Sequence, residues 1–138
     1  MKKVIILSLI LLFFLFYVIL SVPVVDAVRC GEEKPDHAPD LFQIDATKNS
    51  ATLYFAPLAS GVTHYTIAYG YARQQDMFSV SFPFSPYYGV ISYTINYLEP
   101  NAKYYFRVRA DNNCRHGYWS DTMSARTNWH LKKYFRVK

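Results

Sequence analysis

With 138 residues, 51% of them apolar, the chain has room for one domain around one modest core and not for two. Its formal charge of +5 does not mark a nucleic-acid binder, because residues 28–127 hold nine basic and nine acidic side chains and are neutral. The surplus lies at the ends, in Lys2 and Lys3 and in Lys132, Lys133, Arg136 and Lys138.

The start, "MKKVIILSLILLFFLFYVILSVPVVDAV", has two lysines, an apolar run from Val4 to Val22 broken only by Ser8 and Ser21, then Pro23 and the small-residue pattern Val25-Asp26-Ala27. That is the layout of a secretory signal cleaved after Ala27. The run exceeds the usual signal core of about 7–15 residues and reaches the roughly 20 that span a bilayer. Residues 1–27 therefore read as a signal peptide or, uncleaved, as a membrane anchor. Lys2 and Lys3 stay on the cytoplasmic side in both cases, so the rest of the chain is extracytoplasmic, secreted or membrane-anchored. Val28 and Arg29 before Cys30 do not suit a lipoprotein cleavage site.

A polar leader, 28–37, follows. Beyond it, short runs with period-two alternation recur with turn residues between them, predicting strands at 40–46, 50–56, 63–71, 76–82, 91–97, 103–110 and 118–126. Seven such runs, rich in Tyr, Phe, Thr, Val and Ile, predict an all-β, antiparallel sandwich. Alternation turns Ala51, Leu53 and Phe55 inward, then Tyr65, Ile67 and Tyr69. In 91–97 it turns in Tyr93, Ile95 and Tyr97 or the opposite face, and in 103–110 Tyr104, Phe106, Val108 and Ala110. Leu98 closes the core, Pro100 sets a turn, and the Tyr104 hydroxyl can return to the backbone a few residues upstream.

No grouping suggests catalysis, a metal or another cofactor. His37, His64, His116 and His130 lack ligand spacing, no glycine-rich phosphate loop is present, and Asp40, Asp45, Asp76 and Asp121 sit at strand ends or turns. A Cys114–His116 pair has no third group to orient it. Two stretches are candidate binding surfaces. The loop "FPFSPYYG", 82–89, gathers Phe82, Phe84, Tyr87 and Tyr88, which either stack on sugars or a protein partner or fold over an open sheet edge. The loop Asp111–Gly117 offers Arg115 and His116. The tail, 128–138, interleaves Trp129, Leu131, Tyr134, Phe135 and Val137 with Lys132, Lys133, Arg136 and Lys138. Too short for a stable helix, it is expected to be disordered in solution, either a plain solvated end or a contact for an anionic membrane surface or wall polymer.

The segment Tyr93-Thr94-Ile95-x-x-Leu98-x-Pro100-x-x-x-Tyr104-x-Phe106-Arg107-Val108-Arg109-Ala110 resembles the E-to-F region of fibronectin type III domains. Gly117-Tyr118-Trp119-Ser120-Asp121 with Ala125-x-Thr127 resembles their last strand, Tyr65-x-Ile67-x-Tyr69 their third, Leu53-x-Phe55-x-Pro57 their second, and Ala38-Pro39 their start. The resemblance spans 38–127 and implies a seven-stranded antiparallel immunoglobulin-like sandwich. Phe55 stands where the family usually has a core Trp, and the arginine-glycine-aspartate tripeptide of some members is absent, so integrin-type adhesion does not carry over. Trp119 is expected to pack on the sandwich.

In a sandwich of this family the chain start and the last hairpin loop share one end. In an oxidising compartment this implies a Cys30–Cys114 disulfide, with unpaired or intermolecular thiols as the alternative. It would close about 84 residues and contribute about 4 kcal/mol. The resemblance implies an exported, non-catalytic module that binds a protein or envelope polysaccharide, or else a structural spacer of the cell envelope, with no nucleic-acid partner.

Overall fold

The computed structural model describes residues 33–58, 60–84 and 89–137. The expected signal or anchor, 1–27, lies outside them, as do Cys30, Tyr87, Tyr88 and Lys138. Nine strands occur among the described residues: β1 Asp40–Ala46, β2 Ala51–Ala56, β3 His64–Gly70, β4 Phe78–Pro83, β5 Ile91–Ile95, β6 Lys103–Asp111, β7 His116–Trp119, β8 Met123–Arg126 and β9 Lys132–Phe135. They form two antiparallel sheets. One has the order β5-β2-β1-β9; the other runs β4-β3-β6-β7, with β8 also paired to β6.

The core lies between the sheets and follows the alternation closely. Leu53 and Phe55 of β2, Tyr65 and Ile67 of β3, and Tyr104, Phe106, Val108 and Ala110 of β6 are buried against Leu41 and Ile44 of β1. Phe55 and Tyr65 meet edge to face at 5.1 Å between ring centres. Each large side chain removed from water contributes about 1.5–3 kcal/mol, so these inward faces carry the fold. Below them the Tyr104 hydroxyl accepts the Glu99 N–H at 3.0 Å, which pins the turn before β6 to the strand.

Three expectations need correction. The predicted strand 118–126 is broken in two, because Ser120 takes over the pairing at that point. Its N–H donates to the Val108 carbonyl (2.8 Å) and its hydroxyl accepts the Val108 N–H (3.0 Å), so Asp121 and Thr122 leave the ladder. The strand predicted at 91–97 ends at Ile95: Leu98 must turn into the core, its N–H reaching the Asn49 carbonyl at 2.9 Å, and Tyr97 is thrown outward at φ 61°. Finally, the tail is not disordered. Residues 132–135 pair with the open edge of β1, Ile44 opposite Tyr134 and Gln43 opposite Phe135.

An edge strand offers unpaired N–H and C=O groups, and the tail occupies those of β1. Tyr134 turns inward onto the core and donates its hydroxyl to the Arg126 carbonyl at 3.2 Å. Arg136 closes the ladder with an N–H bond to the Phe42 carbonyl (2.9 Å) and an ion pair to Asp40 (2.7 Å). The sandwich is therefore closed by β9, beyond the boundary expected at Thr127.

Candidate functional site

One pole of the sandwich gathers the leader, the start of β3, the end of β4 and the loop between β6 and β7. At its centre is Asp111, whose side chain is completely buried. It follows the alternation of β6, whose register with β3 is unbroken through Asp111, so it shares the outer face with Arg109 and is buried there under the side chains of Thr66 and Arg109. Its Oδ2 accepts from the Thr66 hydroxyl at 2.7 Å and from Arg109 Nε at 3.0 Å, with His64 Nε2 3.7 Å away. Its Oδ1 accepts the Gly117 N–H at 3.2 Å and lies 3.2 Å from His116 Nδ1. Burial pushes the Asp111 carboxyl up, but the Thr66 bond, the Arg109 charge and the Gly117 N–H together outweigh it. The group ends below the ordinary carboxylate value.

Asn112, next along, is also buried and organises the loop. Its Oδ1 accepts the N–H groups of Cys114 (3.0 Å) and Arg115 (2.7 Å), and its side-chain amide donates to the Glu33 carbonyl at 2.7 Å. The leader is held at two further points. Pro35 lies against Gly117, where a Cβ would meet the Ala110 carbonyl and come within 3.2 Å of the proline ring. The Lys34 ammonium sits 3.6 Å from the centre of the Tyr118 ring. Asn113, Arg115 and His116 project into solvent from a loop fixed on both sides. Next to it, Thr63, His64, Ser81, Phe82, Pro83 and Asn113 line an open cleft of about 310 Å³.

Of the two predicted surfaces, the structure brings Arg115 and His116 together on this loop. Phe82 and Phe84 are not an exposed pair but half-buried core side chains. Phe82 stacks on Tyr93 at 4.4 Å between ring centres, and Phe84 meets the edge of Tyr65 at 6.0 Å. The reason is topological. β4 and β5 are the open edges of different sheets, and the Phe82–Tyr93 stack fills the gap between them.

The expected Cys30–Cys114 pair has one member, Cys30, outside the described residues. The tail residues are dispersed. Trp129 lies under the Lys48 ammonium, 3.6 Å from its ring centre; Lys132 and Lys133 are in β9; Arg136 is held by Asp40. Trp119 packs as expected, on the outer face of the sheet between the Arg107 and Arg109 guanidinium groups, at 4.4 and 4.6 Å. Arg107 is in turn held by Asp76.

Asp111 and Asn112 are the organisers that the alternation does not mark: period two puts Asp111 on the outer face with Arg107 and Arg109, and its burial comes from the Thr66 and Arg109 side chains that cover it there. Two polar residues following the inward run Tyr104-Phe106-Val108-Ala110 are the one visible hint. Among the described residues no cluster of three His, Cys, Asp or Glu side chains is placed to hold a metal ion.

A sequence model of the fibronectin type III domain matches residues 37–126. None of the curated proteins compared with the chain matches it. Among solved structures, the chain is similar to the solution structure of the fn3 domain of human contactin 1, with a TM-score of 0.60 and 20% identity over 77% of this chain and 89% of that one. It is also similar to the crystal structure of the chicken CNTN1 FN1-FN3 domains, with a TM-score of 0.58 and 21% identity. That match covers 69% of this chain and only 33% of the longer one. A third similar structure, FN3tt, gives a TM-score of 0.56 and 23% identity over 71% of this chain and 99% of that one.

Proposed function

Because the chain belongs to the fibronectin type III family, whose domains commonly bind proteins or serve as spacers, we propose that it is an exported, non-catalytic module that binds a protein or an envelope polysaccharide through the β6–β7 loop. The observation that carries this reading is the way Asn112 and Asp111 hold the loop main chain while Asn113, Arg115 and His116 face solvent. A loop ordered before its partner arrives loses little conformational entropy on binding, and binding residues commonly sit on loops fixed by a rigid scaffold.

The Cys30–Cys114 disulfide belongs to the same proposal. Glu33 is bonded to Asn112, two residues from Cys114, and Cys30 is three residues before Glu33. Three residues reach about 10 Å when extended, enough to bring Cys30 to the loop. Export by residues 1–27 would supply the oxidising setting. The non-catalytic part is supported by Asp111, whose oxygens are engaged by Thr66, Arg109 and Gly117 rather than aimed at an open cavity.

A spacer of the envelope is the alternative, and the two separate experimentally. The exported chain is used as bait for envelope proteins and polysaccharides, beside an Arg115→Ala/His116→Ala variant. Binding through the loop gives a captured partner that the variant loses. Absence of a partner, or capture that the variant leaves unchanged, returns the spacer reading.

A further inference from the structure

The sandwich has a second pole, about 27 Å from the first along β6, where three loops meet around the turn between β1 and β2. The Leu98 N–H bonds the Asn49 carbonyl at 2.9 Å and the Asn128 N–H bonds the Thr47 carbonyl at 2.8 Å, so the segments that follow β5 and β8 flank that turn. Their large side chains are left in water: Tyr97 is 96% exposed, Trp129 73% and Leu131 59%. Tyr97 also holds a left-handed backbone, uncommon for a bulky residue. The Lys48 ammonium fixes Trp129 from one ring face.

The charge at this pole is one-sided. Segments 46–50, 96–103 and 126–132 carry Lys48, Lys103, Arg126 and Lys132 against Glu99 alone, which is 4 − 1, or +3. A domain neutral over 28–127 thus concentrates positive charge where it also exposes Tyr, Trp and Leu. The described part of the leader, Glu33 and Lys34, lies at the other pole.

We infer that this pole docks on an anionic phospholipid bilayer. Trp and Tyr rings favour the headgroup level, where one part of the ring is apolar and the other wet, and lysines near an anionic leaflet add attraction. Leu131 favours lipid over an acidic sugar polymer, since it has no ring to stack on a sugar and gains by entering the acyl boundary. The inference goes beyond the binding role of the leader pole and does not depend on it. It also moves the membrane contact expected of a free basic tail to a surface built from three loops, because Tyr134 is packed on the core and Arg136 is held in its ion pair.

The test uses the full chain, biotinylated at its N-terminus and immobilised, over which vesicles of phosphatidylcholine, with or without phosphatidylserine, are passed. Any capture through the apolar run 4–22 is removed by taking as the readout the phosphatidylserine-dependent excess. The excess falls about fivefold for Lys48→Gln and again for Lys132→Gln, about tenfold or more for Trp129→Ala/Leu131→Ala, and disappears at high salt. The replaced side chains lie outside the core, so the fold is retained. An excess unchanged in these variants overturns the inference. So does a preference for an acidic polysaccharide over the vesicles that the same variants abolish.

Discussion

The side-chain amide of Asn112 donates to the main-chain carbonyl of Glu33 at 2.7 Å, joining the leader to the β6–β7 loop across 79 residues of sequence. That bond holds Glu33, three residues after Cys30 in sequence, beside the loop that carries Cys114. In exported chain that has never been reduced, alkylation should find no reactive thiol, and non-reducing peptide mapping should return a Cys30–Cys114 pair. Quantitative labelling of both cysteines would refute the tether. Asn112→Ala should slow re-formation of the bond after reduction, because the leader then loses a fixed attachment.

Asp111 makes stability depend on acid. Its folded value is lowered from 3.8, so the unfolded chain binds this proton more readily than the folded one. The stabilisation is then complete above the unfolded value and is lost as pH falls through the lower folded one. The groups facing the carboxylate are Thr66, Arg109, Gly117, His64 and His116. Urea unfolding at neutral pH should place Asp111→Asn about 3 kcal/mol below the wild type, the scale for breaking a buried charge pair. The difference should narrow as the pH is taken down through that range. Parallel curves at every pH would show that the carboxylate is not the acid-sensitive group.

Residues 128–137 are part of the fold and not an appendage. Truncation after Thr127 removes the partner of the β1 edge and uncovers the core beside Ile44, so its urea midpoint should fall well below that of the full chain. Tyr134→Ala alone should cost about 2 kcal/mol, less than a fully buried aromatic because the ring is half exposed. An unchanged midpoint on truncation would separate the tail from the sandwich.

How far the sequence led can be judged residue by residue. Where a strand alternates without interruption, as in Ala51-Leu53-Phe55 or Tyr104-Phe106-Val108-Ala110, facing and burial were legible from period two alone. The Tyr104 hydroxyl bond was legible from Leu98, Pro100 and Tyr104 together. What failed depends on distant parts of the chain. Tyr97 points outward because Leu98 has to meet Asn49, Ser120 breaks a strand because it bonds Val108, and 132–135 becomes a strand because β1 has an open edge. None of those partners is within the local window that sets the alternation. Asp111 escaped for a related reason, since the Thr66 hydroxyl that covers it on the outer face comes from β3, 45 residues away.

The proposed function rests on the β6–β7 loop being the surface that meets a partner. The most direct measurement is site-specific photocrosslinking in the exported chain, with the reactive side chain placed at Arg115 on the loop or at Ser92, exposed on β5 of the other sheet. A discrete adduct is expected from position 115 and none from 92. Equal labelling from both positions, or no adduct from either, would contradict it and leave the chain as a spacer.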